Sequence, residues 1–280
     1  MTTVWTRSKS KIYRLLGKAP KSTPRFPFPY EIVEMIIAYY LAYSPNTLKA
    51  CSLTCRSWYN IAAPLLHHTL TIVQGMAWTG LVRLEQLPKL HELGLLRFVK
   101  KLRIRGGMCR EWFVSRASSH LDLRYFSTLA NVHTLELYDA DIYSFIPGVE
   151  LYFKHFSPTL RSIALLNPRC APRQLSHFLS LFKNLDDIEI QGARPYIPDK
   201  SIPDMELVPF STPKLQGKLV LRDIGWVEPW THFIGFSGGI RFSYICLPWN
   251  GRYTSILLEA CAETLETVQF ETVNGKFSIG

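Results

Sequence analysis

The chain has 280 residues, of which 47% are hydrophobic and 19% charged, a composition that suits one large globular domain or two smaller ones. No stretch approaches the roughly 18 uncharged apolar residues that a membrane-spanning helix needs, and six cysteines are too few for a disulfide scaffold. The net charge is +10, but seven of these charges lie before Glu31, so the body of the chain carries only +3 and its charge does not predict nucleic-acid binding.

Residues 1–25 are basic and contain no acid, which predicts a disordered, solvated tail. A membrane-surface or nuclear-import role stays open for this segment, as does an organelle transit peptide, because Arg and Ser enrichment without acids is typical of one. The segment has no continuous apolar run of the kind found in a secretory signal, and the chain has no Asn-x-Ser/Thr sequon. These observations predict a cytoplasmic and/or nuclear location.

Two short amphipathic helices are predicted between residues 26 and 72. Pro29 suits the start of the first helix, Ser44 predicts a cap for the second with Pro45 in its first turn, and Pro64 is expected to end or kink that second helix. The two apolar faces hold Ile32, Ile36, Tyr39 and Tyr43, and then Leu48, Cys51, Cys55, Trp58 and Ala62. Further apolar residues lie off these faces, more than two short helices can hide on each other, which predicts a partner. These residues are Val33, Ile37, Tyr40, Leu53, Tyr59, Ile61 and Leu65.

The run Phe28-Pro29-x-Glu31-Ile32, followed by Leu48-x-x-Cys51-Ser52-Leu53-x-Cys55-x-x-Trp58, resembles an F-box. It departs from that family at Phe28, where Leu is usual, and in the apolar turn before Ser44, where acids are commoner. The resemblance implies docking onto a Skp-type adaptor and, through it, a place in a cullin–RING ubiquitin ligase. The residues it assigns to adaptor contact, some of which serve internal packing instead, are Phe28, Pro29, Ile32, Val33, Ile36, Leu48, Cys51, Ser52, Leu53, Cys55 and Trp58.

Trp58 is the predicted main anchor of this contact, because large aromatic side chains dominate interface energies. The alternative is that Trp58 belongs to the internal core of the helical unit.

A motif of Leu/Val-x-x-apolar-x-apolar recurs after a short strand predicted at 69–73 and a helical segment that Pro88 is expected to interrupt. Copies begin at Val99, Val132, Leu160, Leu185 and Leu265, with a copy at Leu215 that has one extra residue and a looser one at 240–247, in which Phe242, Tyr244 and Cys246 alternate. Each apolar-x-apolar tripeptide predicts a strand with its apolar side chains inward, and neighbouring units must stack to bury them. The array resembles a degenerate leucine-rich repeat.

The predicted architecture is therefore an α/β solenoid, or α+β in the looser sense. A basic tail (1–25) precedes a helical F-box (26–72) and a leucine-rich-repeat-like domain (73–280), which the resemblance implies is a curved parallel sheet with helices and loops outside. The last ten residues are expected either to cap the final repeat or to leave the array truncated.

The middle residue of each tripeptide points away from the core and forms the predicted substrate-binding surface. The sign of the charge changes along this surface, which is poor for phosphate backbones and suits a protein partner. The candidate substrate-binding residues are Arg103, Glu136, Ala164, Glu189, Val220 and Gln269.

Motifs that would carry chemistry are weak. A G-x-S-x-G sequence at 235–239 has no histidine after it, and therefore predicts a glycine turn instead of a nucleophile elbow. Cys51 and Cys55, with His67 and His68 nearby, superficially offer four zinc ligands, but the cysteines lie on an apolar helix face and are expected to pack. Paired acids at Asp139-x-Asp141 and Asp186-Asp187 sit at strand ends, where solvated turn acids are usual.

No catalytic, metal or cofactor site is predicted. The leading interpretation is a non-catalytic adaptor of an SCF-type ligase, which joins a Skp-type subunit to a protein substrate. The alternative is a scaffolding repeat protein in which the helical unit only caps the first repeat.

Overall fold

A computed structural model describes residues 28–41, 44–73, 86–105, 124–142, 153–170, 172–195, 214–224, 240–248, 251–272 and 275–279. The predicted basic tail and the G-x-S-x-G sequence lie outside these residues. The chain divides between Ala62 and Ala63 into two compact units. Within the described ranges, no helix has the length and apolar character needed to cross a membrane.

The first unit is helical. Helix α1 (Tyr30–Met35) continues as a π-helical turn (Ile36–Leu41) and is followed by α2 (Pro45–Thr54) and α3 (Arg56–Leu66). The Pro29 carbonyl accepts hydrogen bonds from the N–H groups of Ile32 and Val33 at 3.1 and 3.2 Å. The Ser44 hydroxyl accepts one from the N–H of Thr47 at 3.4 Å, which confirms the predicted cap.

The second predicted helix is in fact two helices. Cys55 is extended, with φ −157° and ψ 171°, so α2 ends before it, and the Tyr59 N–H then donates to the Cys55 carbonyl at 2.9 Å to open α3. The prediction that Pro64 ends this helix is also wrong, because α3 runs on to Leu66 and the His67 N–H still donates to the Ala63 carbonyl at 3.0 Å. A proline removes only its own N–H from the ladder, and the bonds that follow it can still form.

The second unit is an α/β sheet in which each predicted repeat supplies one strand. Its order is β1-β2-β3-β4-β6-β8-β9-β10-β11; the first eight strands are parallel, while β11 runs antiparallel to β10, and β5 and β7 form a separate parallel pair. The strands are β1 (Thr69–Val73), β2 (Lys101–Arg105), β3 (Thr134–Tyr138), β4 (Ser162–Leu166), β5 (Arg169–Cys170), β6 (Asn184–Gln191), β7 (Arg194–Pro195), β8 (Lys214–Arg222), β9 (Ile240–Pro248), β10 (Thr267–Thr272) and β11 (Gly275–Ile279).

Short helical elements precede several strands. Helix α4 (Leu87–Glu92) and a 3-10 turn (Leu96–Phe98) come before β2, α5 (Pro172–Ser180) before β6, and α6 (Gly251–Ala260) before β10. Two further 3-10 turns, Arg124–Thr128 and Lys154–Phe156, precede β3 and β4. Pro88 lies in the first turn of α4, where its missing N–H is tolerated. The start of the predicted helical segment lies outside the described residues.

The core has two layers. On the sheet side, the first inward residues of successive strands are register partners and are fully buried, as Leu102, Leu135 and Ile163 illustrate. Behind them, aromatic rings from the turns and from α5 touch edge to face or tilted, with neighbouring centroids 5.5–6.4 Å apart. These rings belong to Phe126, Phe153, Phe156, Phe178 and Phe182. Stacking of the repeats therefore buries apolar side chains that a single repeat would leave exposed.

The two irregular copies of the motif are complete strands with bulges. Between β6 and β8 the register shifts at Gly217, whose φ is +78°, which places the extra residue of the Leu215 copy in a bulge. Between β8 and β9 a second shift skips Ser243. As a result Phe242 lies in the core, whereas Tyr244 is a partly exposed neighbour of Lys218. The simple alternation of residues 242, 244 and 246 predicted from sequence is therefore wrong.

Strand ends share one backbone turn. Asp139, Asn167, Gly192 and Asp223 each follow a strand directly and each have φ between 50° and 66°. The N–H groups of the first three donate across to the next repeat, at 2.7–2.9 Å from the carbonyls of Leu166, Gln191 and Arg222 respectively. Asp, Asn and Gly are the residues that tolerate this left-handed conformation, which explains their recurrence here.

Candidate binding surfaces

The helical unit exposes a row of large apolar side chains. Eight such side chains are exposed in the described part of the chain, and seven of them lie between residues 28 and 53. Five form what we call the apolar stripe, spaced by four, three, one and three residues: Phe28 just before α1, and Ile32, Met35, Ile36 and Tyr39 along α1 and the π-helical turn. The spacing of the last four places them on one helical face.

Leu53 adds a second exposed apolar side chain, on α2. It is 81% exposed, while Leu48 and Cys51 of the same helix are buried. At about 100° per residue, Leu53 lies about 140° around the helix from Leu48 and about 160° from Cys51, on the opposite side. The helix therefore buries one face and leaves Leu53 in solvent.

Part of the predicted adaptor contact is corrected by burial. Val33, Leu48 and Cys51 are no more than 6% exposed, so they serve packing and cannot contact an adaptor. Ser52, Cys55 and Trp58 are half-buried, and Pro29 is exposed beside the stripe.

The sequence predicted which apolar residues of the helices pack on each other and which are left over for a partner, and the structure partly reverses this assignment. Val33, Ile37 and Ile61, expected to seek a partner, are buried, whereas Ile32, Ile36 and Tyr39 are exposed. The pairs Val33–Ile37 and Ile32–Ile36 both have helical spacing and lie only about 100° apart, so periodicity cannot tell which faces inward.

The sheet presents the predicted outward residues in one row. Arg103, Glu136, Ala164 and Glu189 are register partners across β2, β3, β4 and β6, and all four are partly exposed. Gln269 of β10 accepts a hydrogen bond from the Tyr244 hydroxyl at 2.6 Å. The structure therefore brings the predicted substrate-binding residues together, and all but one of them are accessible to solvent.

Val220 is the exception. It lies in the predicted row, paired with Glu189 and Cys246, but it is only 2% exposed. On the same face of β8, the Lys218 ammonium lies 5.1 Å from the centre of the Tyr244 ring, and Arg222 Nε lies 2.9 Å from a Glu271 carboxylate oxygen. Long side chains of this kind cover a short apolar neighbour, so alternation places the Val220 side chain on the outward face but does not make it accessible.

Glu136 is the electrostatic centre of the row. Its two carboxylate oxygens lie 2.5 Å from Lys101 Nζ and from Arg103 Nε, and the Tyr138 hydroxyl donates to it at 3.3 Å. Partial burial acts to raise the pKa of the Glu136 carboxyl, but the two cations outweigh it and hold that pKa below its ordinary value. Glu136 thus offsets one of the two positive charges that Lys101 and Arg103 bring to the sheet.

Sequence reasoning missed a second set of residues at the entrance to the strands. His68, Lys100, His133 and Arg161 each immediately precede one of strands β1–β4, and all four are exposed. We call this set the entrance row. The signal is present in the sequence, because the second position of the repeat motif holds Lys100, His133 and Arg161. Strand alternation, however, assigns an outward direction only to residues within a strand, and these residues precede theirs.

The described residues contain no group of three or more His, Cys, Asp and Glu side chains arranged to hold a metal ion. The expected packing role of Cys51 is consistent with its burial. Burial and the charge of Asp141 raise the pKa of the Cys170 thiol to about 12, so this thiol is not a ready nucleophile.

Comparisons with known proteins give no relative: no family model matches the chain, and no curated protein or solved structure matches it either. The surfaces described above are therefore the basis for assigning a function.

Proposed function

We propose that this chain is the substrate-recognition subunit of an SCF-type cullin–RING ubiquitin ligase. In this proposal the helical unit is an F-box that docks onto a Skp-type adaptor, and the parallel sheet belongs to a leucine-rich-repeat solenoid that binds a protein substrate. The contribution to ubiquitin transfer is proximity and not catalysis, because a substrate held near the ligase reacts at a high effective concentration. Such a role places the protein in the cytoplasm and/or the nucleus.

The observation that carries the proposal is the exposure of the apolar stripe and Leu53 on helices whose sequence resembles an F-box. Folded monomers rarely expose contiguous apolar patches of this kind unless a partner covers them. Burying one side chain of this size contributes about 1.5–3 kcal/mol, so a partner that covers several gains enough to bind stably. A unit that served only as a cap for the first repeat would need no apolar face toward solvent.

The test is co-purification of the full-length chain with a Skp-type adaptor. Ile36→Glu combined with Leu53→Glu places two charges on the exposed apolar surface without touching a buried residue. We expect adaptor affinity to fall at least about thirtyfold, which corresponds to about 2 kcal/mol for the loss of one well-buried anchor.

The matched control is Leu93→Glu, which makes the same change at an apolar residue that is 55% exposed in the second unit. It should bind the adaptor like the unchanged chain. Undiminished binding by the double variant, an equal loss in the control, or no adaptor binding by the unchanged chain would contradict the proposal.

A further inference from the structure

The entrance row is fixed by a hydrogen-bond pattern that repeats from strand to strand. The His68 carbonyl accepts from the N–H groups of Lys100 and Lys101, at 2.9 and 3.0 Å. The Lys100 carbonyl accepts in the same way from the N–H groups of His133 and Thr134, at 2.8 and 3.1 Å. The His133 carbonyl accepts from those of Arg161 and Ser162, at 2.9 and 3.0 Å. Each row residue therefore occupies an equivalent backbone position, and the row is held in place before any ligand arrives.

The charges of this row are not neutralised, unlike those of the neighbouring rows. Glu136 pairs with Lys101 and Arg103, and Arg222 pairs with Glu271. Among the described residues, by contrast, no carboxylate lies within ion-pairing distance of any member of the entrance row. Lys100 and Arg161 are therefore exposed cations without counter-charges and are free to bind an anion.

The two histidines add hydrogen-bonding groups to this row. His133 Nδ1 lies 2.6 Å from the Asn131 carbonyl oxygen, which can only accept, so a proton sits on Nδ1. Nε2 is then an acceptor in the neutral ring and donates to a carboxylate only when both ring nitrogens are protonated. Burial and the charges of Lys100, Lys101 and His133 lower the pKa of His68, which places these cations in one electrostatic neighbourhood. A bound carboxylate would favour the protonated form of the His68 ring.

The row has a defined length. Adjacent strands in a sheet lie about 4.8 Å apart, so the four positions span about 14 Å from β1 to β4. At the next strand the equivalent position is Asp186, whose N–H donates to the Arg161 carbonyl at 2.7 Å and whose side chain accepts from Gln216. The sign of the charge therefore reverses at the position in β6 that continues the hydrogen-bond pattern, although Lys183 directly precedes that strand.

We propose that the entrance row binds an acidic, extended segment of a protein that carries carboxylates at alternate positions. In an extended chain, side chains two residues apart lie about 6.8 Å apart on one face, so three alternate carboxylates span about 14 Å, the length of the row. The inference names a substrate chemistry for the sheet; it rests on the proposal that the sheet binds a protein, and it does not depend on adaptor docking.

Nucleic acid fits the row less well. A phosphate backbone continues past four positions, and beyond Arg161 it would meet the acids Asp186, Asp187 and Glu189. An acidic segment no longer than the entrance row contacts that row and does not reach these acids.

The test measures binding of fluorescent peptides to the full-length chain by anisotropy. One peptide carries three aspartates separated by single glycines, a second carries the same three aspartates side by side, and a third has asparagine in place of each aspartate. We expect the alternating peptide to bind most tightly and the asparagine peptide not to bind. Lys100→Glu combined with Arg161→Glu should weaken the alternating peptide by about tenfold or more, since two attractive pairs become repulsive.

The matched control is Lys154→Glu combined with Arg169→Glu, the same charge change at two exposed residues outside the row, which should change affinity less than twofold. A second variant, Lys100→Gln with Arg161→Gln, removes the two positive charges without reversing them, and circular dichroism checks that it folds. The idea is overturned if the asparagine peptide binds equally, if the control loses as much affinity, or if a single-stranded oligonucleotide binds the row more tightly than the peptide. The Lys100→Glu, Arg161→Glu variant should still co-purify with the adaptor. This measurement separates failure of the peptide-binding proposal from failure of the ligase proposal.

Discussion

Replacing Gly217 by alanine should destabilise the sheet far more than the same change at Gly94. Both glycines have positive φ, +78° and +66° respectively, so alanine is strained at either site. A Cβ at Gly94 would meet nothing within 4 Å, whereas a Cβ at Gly217 would overlap the carbonyl oxygen of Asp186 and lie 3.0 Å from its carbonyl carbon. The difference in stability between the two variants therefore measures the effect of the close approach of β6 and β8 at the bulge.

The size of the effect follows from these contacts. Alanine in a left-handed conformation costs about 1–2 kcal/mol, and lower entropy of the unfolded chain offsets about 0.4–1 of it, so Gly94→Ala should cost about 1 kcal/mol. Gly217→Ala must also push β8 from β6 and lose one or two backbone hydrogen bonds at about 1 kcal/mol each, which gives about 3 kcal/mol in total. Thermal unfolding should then shift by about 6–12 °C for Gly217→Ala. Equal unfolding temperatures for the two variants would refute the assignment of the bulge to Gly217.

Three further predictions concern the core and the titratable groups. Phe178→Ala removes a buried ring with neighbours at 5.5 and 6.0 Å and should cost about 3–5 kcal/mol in urea unfolding, while loss of under 1 kcal/mol would argue against the stacked rings. Cys170, whose thiol pKa is raised to about 12 by burial and by Asp141, should resist alkylation at pH 8 until the protein is unfolded; mass spectrometry of native protein that found it modified would contradict this. Lys100→Gln should raise the pKa of His68 toward its ordinary value in an NMR titration, because burial and this lysine both lower that pKa. Since the unfolded chain binds the His68 proton more readily than the folded chain, His68 should make the protein less stable as pH falls below about 6.5.

The strands could be found from the sequence because their signal is local. Each predicted copy of the motif forms a parallel strand, and its apolar side chains are buried in β2, β3, β4, β6 and β8, whereas Val268 and Phe270 of β10 are only half-buried. The extra residue of the Leu215 copy is visible in the sequence and forms the bulge. The caps at Pro29 and Ser44 were equally local. The break at Cys55 was not predictable, because the helical spacing of apolar residues continues through it.

The candidate surfaces were harder to predict because exposure depends on residues distant in the chain. Val220 has the alternation of an outward residue but is buried beside long side chains from β8 and its neighbours. Val33 and Ile32 are adjacent residues on equally apolar faces, and only packing decides that the first is buried and the second exposed.

The sequence by itself determined the order of the units, the positions of the repeat strands and the F-box-like pattern, because each depends on residues within a few positions of one another. Only the tertiary structure decided which helical face meets solvent and which cations stand together. His68 and Arg161 are 93 positions apart in the chain, yet both belong to one row because three successive parallel registers carry the same backbone position from β1 to β4. That register is a property of packed strands, and no local pattern in the chain contains it.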